Sequence, residues 1–217
     1  MAILGNVGFS LGGYFTENED DIIFQTTGGA TGNQGFFDNV SKTERLGMEL
    51  ALNGQVQKLD WFLNYSFLRA TFESNLFVNS ENNQFADGEG RIQVQKGDSI
   101  PNIPDHTLQL GGDYSITPRF SVGGDMLYKS GVFVRGDESN QLGRLDGYAT
   151  VNIRANYQIN KTFKVFARVD NLFDQEYESF GLLGEPDEVP GFDSFSDARF
   201  VGVGAPLSGF IGVKAEF

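Results

Sequence analysis

Between Ala149 and Ile159 every second residue is apolar. Ala149, Val151, Ile153, Ala155, Tyr157 and Ile159 share one face, while Thr150, Asn152, Arg154 and Asn156 take the other. A period of two suits a β-strand and not an amphipathic helix, whose apolar residues recur every three or four positions. The pattern repeats about eight times along the chain. Val7, Phe9, Leu11, Gly13 and Phe15 open the series, followed by Leu46, Met48, Leu50 and Leu52, then Trp61, Leu63, Tyr65 and Phe67. Leu108, Leu110 and Tyr114 come next, then Phe120, Val122, Met126 and Tyr128; the set closes with Phe163, Val165, Ala167 and Val169, and with Ile211, Val213, Ala215 and Phe217. Each apolar face runs roughly 9–11 residues, the length a tilted strand needs to cross a bilayer, against about 5–6 for a soluble strand.

The connections alternate too. Short links fall at Gln57-Lys58-Leu59-Asp60, Thr117-Pro118-Arg119 and Asn160-Lys161, and long polar segments at 26–40, 74–103, 131–146 and 178–198. Short turns at one end and long loops at the other are the outer-membrane pattern. Trp61, Tyr114, Phe120, Tyr157, Phe163 and Phe217 gather beside the short turns, where an interfacial girdle of aromatics belongs. A soluble sandwich or lipocalin-like barrel with its apolar face turned inward fits the strand length, loop asymmetry and girdle less well. The expected fold is all-β: an antiparallel transmembrane β-barrel wall of about eight strands.

Composition agrees. The 28 Gly, 21 Phe and 7 Tyr favour strands and tight turns. A mean hydropathy of -0.25 does not oppose a membrane location, because only alternate residues of a barrel strand meet lipid. The net charge of -13 argues against nucleic acid, whose phosphates require a basic surface. With no Cys, disulfides, thiolate metal sites and cysteine nucleophiles are excluded. Met1-Ala2-Ile3-Leu4-Gly5-Asn6-Val7 lacks the basic and long apolar regions of a signal peptide, so export implies a signal removed or carried further upstream.

The C-terminal third carries the most specific motifs. Val169-Asp170-Asn171-Leu172-Phe173-Asp174-Gln175-Glu176-Tyr177 resembles the penultimate strand of TonB-dependent receptors, and Arg199-Phe200-Val201-Gly202-Val203-Gly204-Ala205-Pro206 is similar to that family's approach to its last strand. The terminal Phe217 looks like the signal read by the outer-membrane assembly machinery. Upstream, Asp21-Ile22-Ile23-Phe24, the stretch from Asn39 to Leu50, and Pro104-Asp105-His106-Thr107-Leu108 resemble further family motifs, with Val40-Ser41 standing where a Gly is usual. The resemblance implies that residues 1–217 form the C-terminal portion of a barrel of about 22 strands with a plugged lumen. The family's signal peptide, plug and TonB-contacting box have no counterpart in this sequence. Plug and TonB are therefore expected as partners of the full-length parent, beside outer-membrane lipid and lipopolysaccharide. The implied function is uptake of a scarce nutrient: a ferric siderophore, cobalamin or a glycan. The alternative is a free-standing eight-stranded barrel acting as a small channel, adhesin or structural protein.

Three groups of residues are singled out. Asn171, Leu172, Phe173, Asp174, Tyr177, Arg199, Gly202, Pro206 and Phe217 carry the motif; Asn171 and Asp174 are expected to satisfy backbone groups where a strand leaves the membrane, with Phe173 at the interface. Arg45, Glu49, Asp113, Asp125, Lys129, Arg154, Arg168 and Asp170 fall on the polar face and are expected to face the lumen, since in lipid each would cost up to about 2–4 kcal/mol. Arg91, Phe133, Arg135 and Phe180 lie in external loops, where ligand contact is expected. No catalytic residue, cofactor or metal site is expected. His106, the only histidine, follows Asp105 without a nucleophile pattern. The loop carboxylates Glu178, Glu185, Asp187, Glu188, Asp193 and Asp197 match no EF-hand spacing, and Gly28-Gly29-Ala30-Thr31-Gly32-Asn33 lacks the Lys-Ser/Thr of a phosphate loop.

Overall fold

A computed structural model describes residues 6–27, 34–191 and 197–216. Its strands, in chain order, are β1 (Val7–Thr26), β2 (Gly35–Val56), β3 (Leu59–Phe72), β4 (Leu76–Asn79), β5 (Arg91–Val94), β6 (His106–Thr117), β7 (Phe120–Lys129), β8 (Tyr148–Gln158), β9 (Phe163–Asp170), β10 (Glu178–Leu183), β11 (Arg199–Val203) and β12 (Ser208–Ala215). Eight of them form one antiparallel sheet in the order β1-β2-β3-β6-β7-β8-β9-β12. Among the described residues β1 and β12 do not pair with each other. As far as the described residues go, the eight strands are a section of barrel wall with two open edges.

The register carries the alternation across every strand. Leu11 lies opposite Leu50, Leu50 opposite Tyr65, Tyr65 opposite Leu108, and Leu108 opposite Tyr128. One residue of slip anywhere would turn that strand's apolar set to the wet side, so the pattern itself fixes the pairing. The short turns are tied locally: Thr117 Oγ1 accepts from the Arg119 and Phe120 amides, and Asn160 Oδ1 from those of Thr162 and Phe163. Beside these turns Phe120 and Tyr157 meet edge to face at 6.4 Å on the apolar side.

The first strands are longer than the expected 9–11 residues: 20 in β1, 22 in β2 and 14 in β3. Segment 26–40 is accordingly not all loop, since Thr26 ends β1 and Gly35–Val40 belong to β2; Gly28–Asn33 lies outside the described residues. The reason is visible on the outward face. Its apolar run stops at Phe15 and Leu46, and the next outward residues are Glu17, Glu19, Lys42 and Glu44, with a Lys42–Glu17 ion pair at 2.7 Å. Backbone pairing continues past the point where the apolar face ends, because ladder hydrogen bonds need no apolar side chains.

Two other expected loops contain hairpins. β4 pairs with β5 inside segment 74–103, and β10 pairs with β11 around segment 178–198. Arg199–Val203 therefore belongs to an external hairpin and not to the last wall strand, which starts at Ser208. The deepest burial is also in this region. Phe72, Val78, Ile92 and Val94 form one buried cluster, and Val134, Leu145 and Leu183 another. Wall residues such as Phe9 (77% exposed) and Ile211 (81%) stand uncovered on the apolar face, whereas the loops build a cap with an apolar core of its own.

Candidate functional site

On the polar face, the eight charged residues expected toward the lumen all fall on the side opposite the apolar belt in the strand register. Three of them come together. Arg154 on β8 donates from Nε and Nη2 to both oxygens of Asp113 on β6, at 2.9 and 2.6 Å, and from Nη1 to Asp125 on β7 at 2.7 Å. Asn152 donates to the other Asp125 oxygen at 2.8 Å, and its own side-chain oxygen accepts the Asn171 amide at 3.0 Å. A polar chain thus crosses three strands and ends at the motif, just past β9. Arg168 pairs with Asp170, and Arg45 with Asp21 at 3.0 Å. Among the described residues Glu49 and Lys129 have no ion pair with another side chain, and Glu49 lines a groove of about 340 Å³ with Asn64, Tyr65 and Gln109.

The two halves of the C-terminal motif lock each other. Asn171 is 3% exposed with φ of 50°, a left-handed turn that Asn tolerates better than most residues. Its amide nitrogen donates to the Gln175 and Ala205 carbonyls at 2.9 and 3.0 Å, and its oxygen accepts the Gln175 amide at 2.9 Å. Leu172 donates its amide to the Val151 carbonyl at 2.8 Å, and Asp174 accepts the Leu207 amide at 2.8 Å. Pro206 lies between those two anchored residues. Tyr177 lies over Gly204 and stacks on Tyr148 at 4.3 Å, while Phe180 lies over Gly202. Arg199 pairs with Asp197 at 2.8 Å, which holds that carboxyl below its ordinary range, and Phe173 stands 75% exposed. Phe217 lies outside the described residues.

The external candidates separate. Arg91 is held by Asp87 and Glu89 and sits 5.0 Å over the Phe77 ring. Phe133 is covered by Arg144 at 4.6 Å. Arg135 lies 5.0 Å over Phe24 and bridges to Leu182, so of the four it alone reaches both β1 and the β10 hairpin. Asp105 is engaged by Arg144 at 2.6 Å and not by His106, whose Nδ1 bonds the Tyr65 hydroxyl at 2.9 Å on the apolar side. Among the described residues no three acidic or histidine side chains converge as a metal-holding group, and Asp193 lies outside them.

Sequence reasoning missed the residues that assemble the cap. Asn102 exchanges two bonds with the Gly181 backbone, at 3.0 and 3.1 Å, and Asn140 exchanges two with Ser99, at 2.6 and 3.0 Å. Both asparagines take positive φ, 60° and 57°, and each side chain bonds a backbone N–H and C=O of one residue as a neighbouring strand would. Glu138, 6% exposed, was also unforeseen. Asn next to turn residues was the one signal available.

Comparison with known proteins places this geometry. The family model described as TonB dependent receptor-like, beta-barrel, matches residues 4–172. The ferric-pyoverdine receptor PbuA from a Pseudomonas strain is 30% identical over 122 residues, covering 53% of this chain and 13% of that protein. The siderophore receptor PiuA from Acinetobacter baumannii superposes with a TM-score of 0.68 at 18% identity, over 96% of this chain and 26% of its own. The ferric yersiniabactin uptake receptor FyuA from Yersinia pestis gives 0.67 at 18%, over 97% and 28%. The chain thus spans about a quarter or less of the length of these relatives.

Proposed function

Since the chain belongs to the TonB-dependent receptor-like β-barrel family of the outer membrane, we propose that residues 1–217 supply the C-terminal eight strands of a larger receptor barrel that imports a ferric siderophore. The observation that carries this reading is the open eight-stranded wall, apolar on one face and ion-paired on the other, that matches a section of larger receptors. Names among the relatives favour an iron chelate over cobalamin or a glycan: ferric pyoverdine for one, ferric yersiniabactin for another. The polar face packs on the plug of the parent, which TonB engages from the periplasm. The apolar face meets lipid and, in the outer leaflet, lipopolysaccharide. The C-terminal strand is the element presented to the assembly machinery.

Solute contact falls to the cap, with Arg135 and Phe180 at its centre and Arg91 and Phe133 toward its rim. The test is uptake of radioactive iron by cells whose only receptor is the full-length parent, offered a panel of ferric chelates. Energised uptake of one chelate, lost when TonB is deleted, supports the reading. Uptake of none, with a correctly assembled barrel, overturns it.

A further inference from the structure

Three external segments meet at Glu138. Its Oε1 accepts the Gly136 amide at 3.1 Å, but Oε2 has no hydrogen-bond partner, although the residue is 94% buried. Glu138 borders a cavity of about 20 Å³ shared with Thr26 at the end of β1, Ser80 and Glu81 after β4, Arg135 and Gly136 beside it, and Leu183 of β10. That volume is about one water molecule's worth. The segment that carries Glu138 is pinned on both sides. The Gly136 carbonyl accepts from Ser80 Oγ at 2.6 Å and Asn83 Nδ2 at 2.8 Å; Arg135 donates to the Gly181 carbonyl at 3.0 Å and accepts from the Leu183 amide at 2.8 Å. Bulk solvation of the Glu138 carboxyl requires these segments to part.

We propose that Glu138 is a proton-operated latch of the cap: the three segments pack on its neutral carboxylic acid and separate when it ionises. The closed cap supplies a carboxylate at this position with one backbone donor and an unpartnered oxygen, an arrangement that suits the uncharged form. Among the described residues the charges facing it are few. Asp137 is adjacent and opposes ionisation, Arg135 favours it, and Glu81 adds a further carboxylate from the β4–β5 side; β1 presents Phe24 and Thr26, and β10 presents Leu183. Burial outweighs the rest and pushes the group up to about 7 from an ordinary 4.5. The closed cap therefore holds this proton more tightly than the open one. Closure is unopposed below about pH 4.5, weakens about tenfold per unit as pH rises, and levels off above about pH 7 at roughly 300-fold weaker. The latch concerns the cap itself and is independent of which solute the barrel admits.

Hydrogen exchange at the amides of Arg135 and Leu183, which bond across the segments, tests it, on the full-length protein in native outer-membrane vesicles and corrected for the intrinsic pH dependence of exchange. Between about pH 5 and pH 8 the opening equilibrium should rise on the order of 50- to 100-fold. Glu138→Gln should stay protected at both values, and Glu138→Met, a second neutral side chain of similar length, provides the same reading if the Gln variant fails to assemble. A wild-type cap without pH response, or a Gln or Met variant that responds as the wild type does, overturns the latch. So does closure restored at about pH 8 by calcium alone, which would assign the cavity to a cation.

Discussion

Arg154 grips Asp113 with two parallel hydrogen bonds although β7 runs between their strands. The guanidinium reaches over Gly123, whose register partners are Asp113 and Arg154 themselves and which places no side chain in the way. The bidentate fork fits a carboxylate as Lys cannot. Arg154→Met should cost about 1–3 kcal/mol, less than a fully buried pair because the guanidinium is 27% exposed. Urea unfolding in vesicles measures it. Asp113→Asn combined with Arg154→Met should recover part of the loss, since one stranded carboxylate is removed.

Asn171 does two things at once, holding a left-handed turn and bonding two carbonyls. Asn171→Gly keeps the turn and loses the bonds; Asn171→Ala loses both. The expected order of stability is wild type, then Gly, then Ala, with the Ala variant about 2–4 kcal/mol down. Assembly yield of heat-modifiable barrel, followed by electrophoretic mobility, ranks the three.

The two faces of the wall predict opposite tolerance to charge. Ile153 lies outward between Gly124 and Val169, and Ile153→Arg should cost about 2–4 kcal/mol near the bilayer midplane. Gln109, exposed on the polar face, should accept Arg with a change of about 0.5 kcal/mol or less. Equal losses in the two unfolding titrations would contradict the assigned facing.

Asn102 joins the β3–β6 connection to β10 by its two bonds to Gly181. Asn102→Ala should free the β10–β11 hairpin locally, at about 1–3 kcal/mol, while the wall unfolds as before. Limited proteolysis should then cut within residues 184–191 at least several times faster than in the wild type, with no shift in the unfolding midpoint.

These contrasts separate what was legible in the residues from what was not. The facing of Leu110, Ile153 or Arg154 follows from parity alone, because a wall strand has two solvents and must choose between them. The motif around Asn171 stood out as a pattern, but its meaning is spatial: its partners Ala205 and Leu207 are more than thirty positions away. The full reach of β1 and β2 was hidden because charged residues such as Glu17 and Lys42 end the periodic signal and not the strand. The cap was hidden for a different reason. Its order comes from single long-range contacts, Asn102 to Gly181 and Asn83 to Gly136, and contacts of that kind leave no period behind.

Tyr14 and Phe166 are large rings on the inner face, and each lies flat on a glycine of the neighbouring strand; a methyl built at Gly47 or Gly212 would come within 2.1 or 2.4 Å of the ring. The rings therefore run along the wall and do not stand out from it. Bulk is stored sideways, and at these two positions the polar face stays close to the backbone. A β-branched residue at Gly47 would lift Tyr14 off the wall and raise a ridge on the polar face where the sheet now lies smooth.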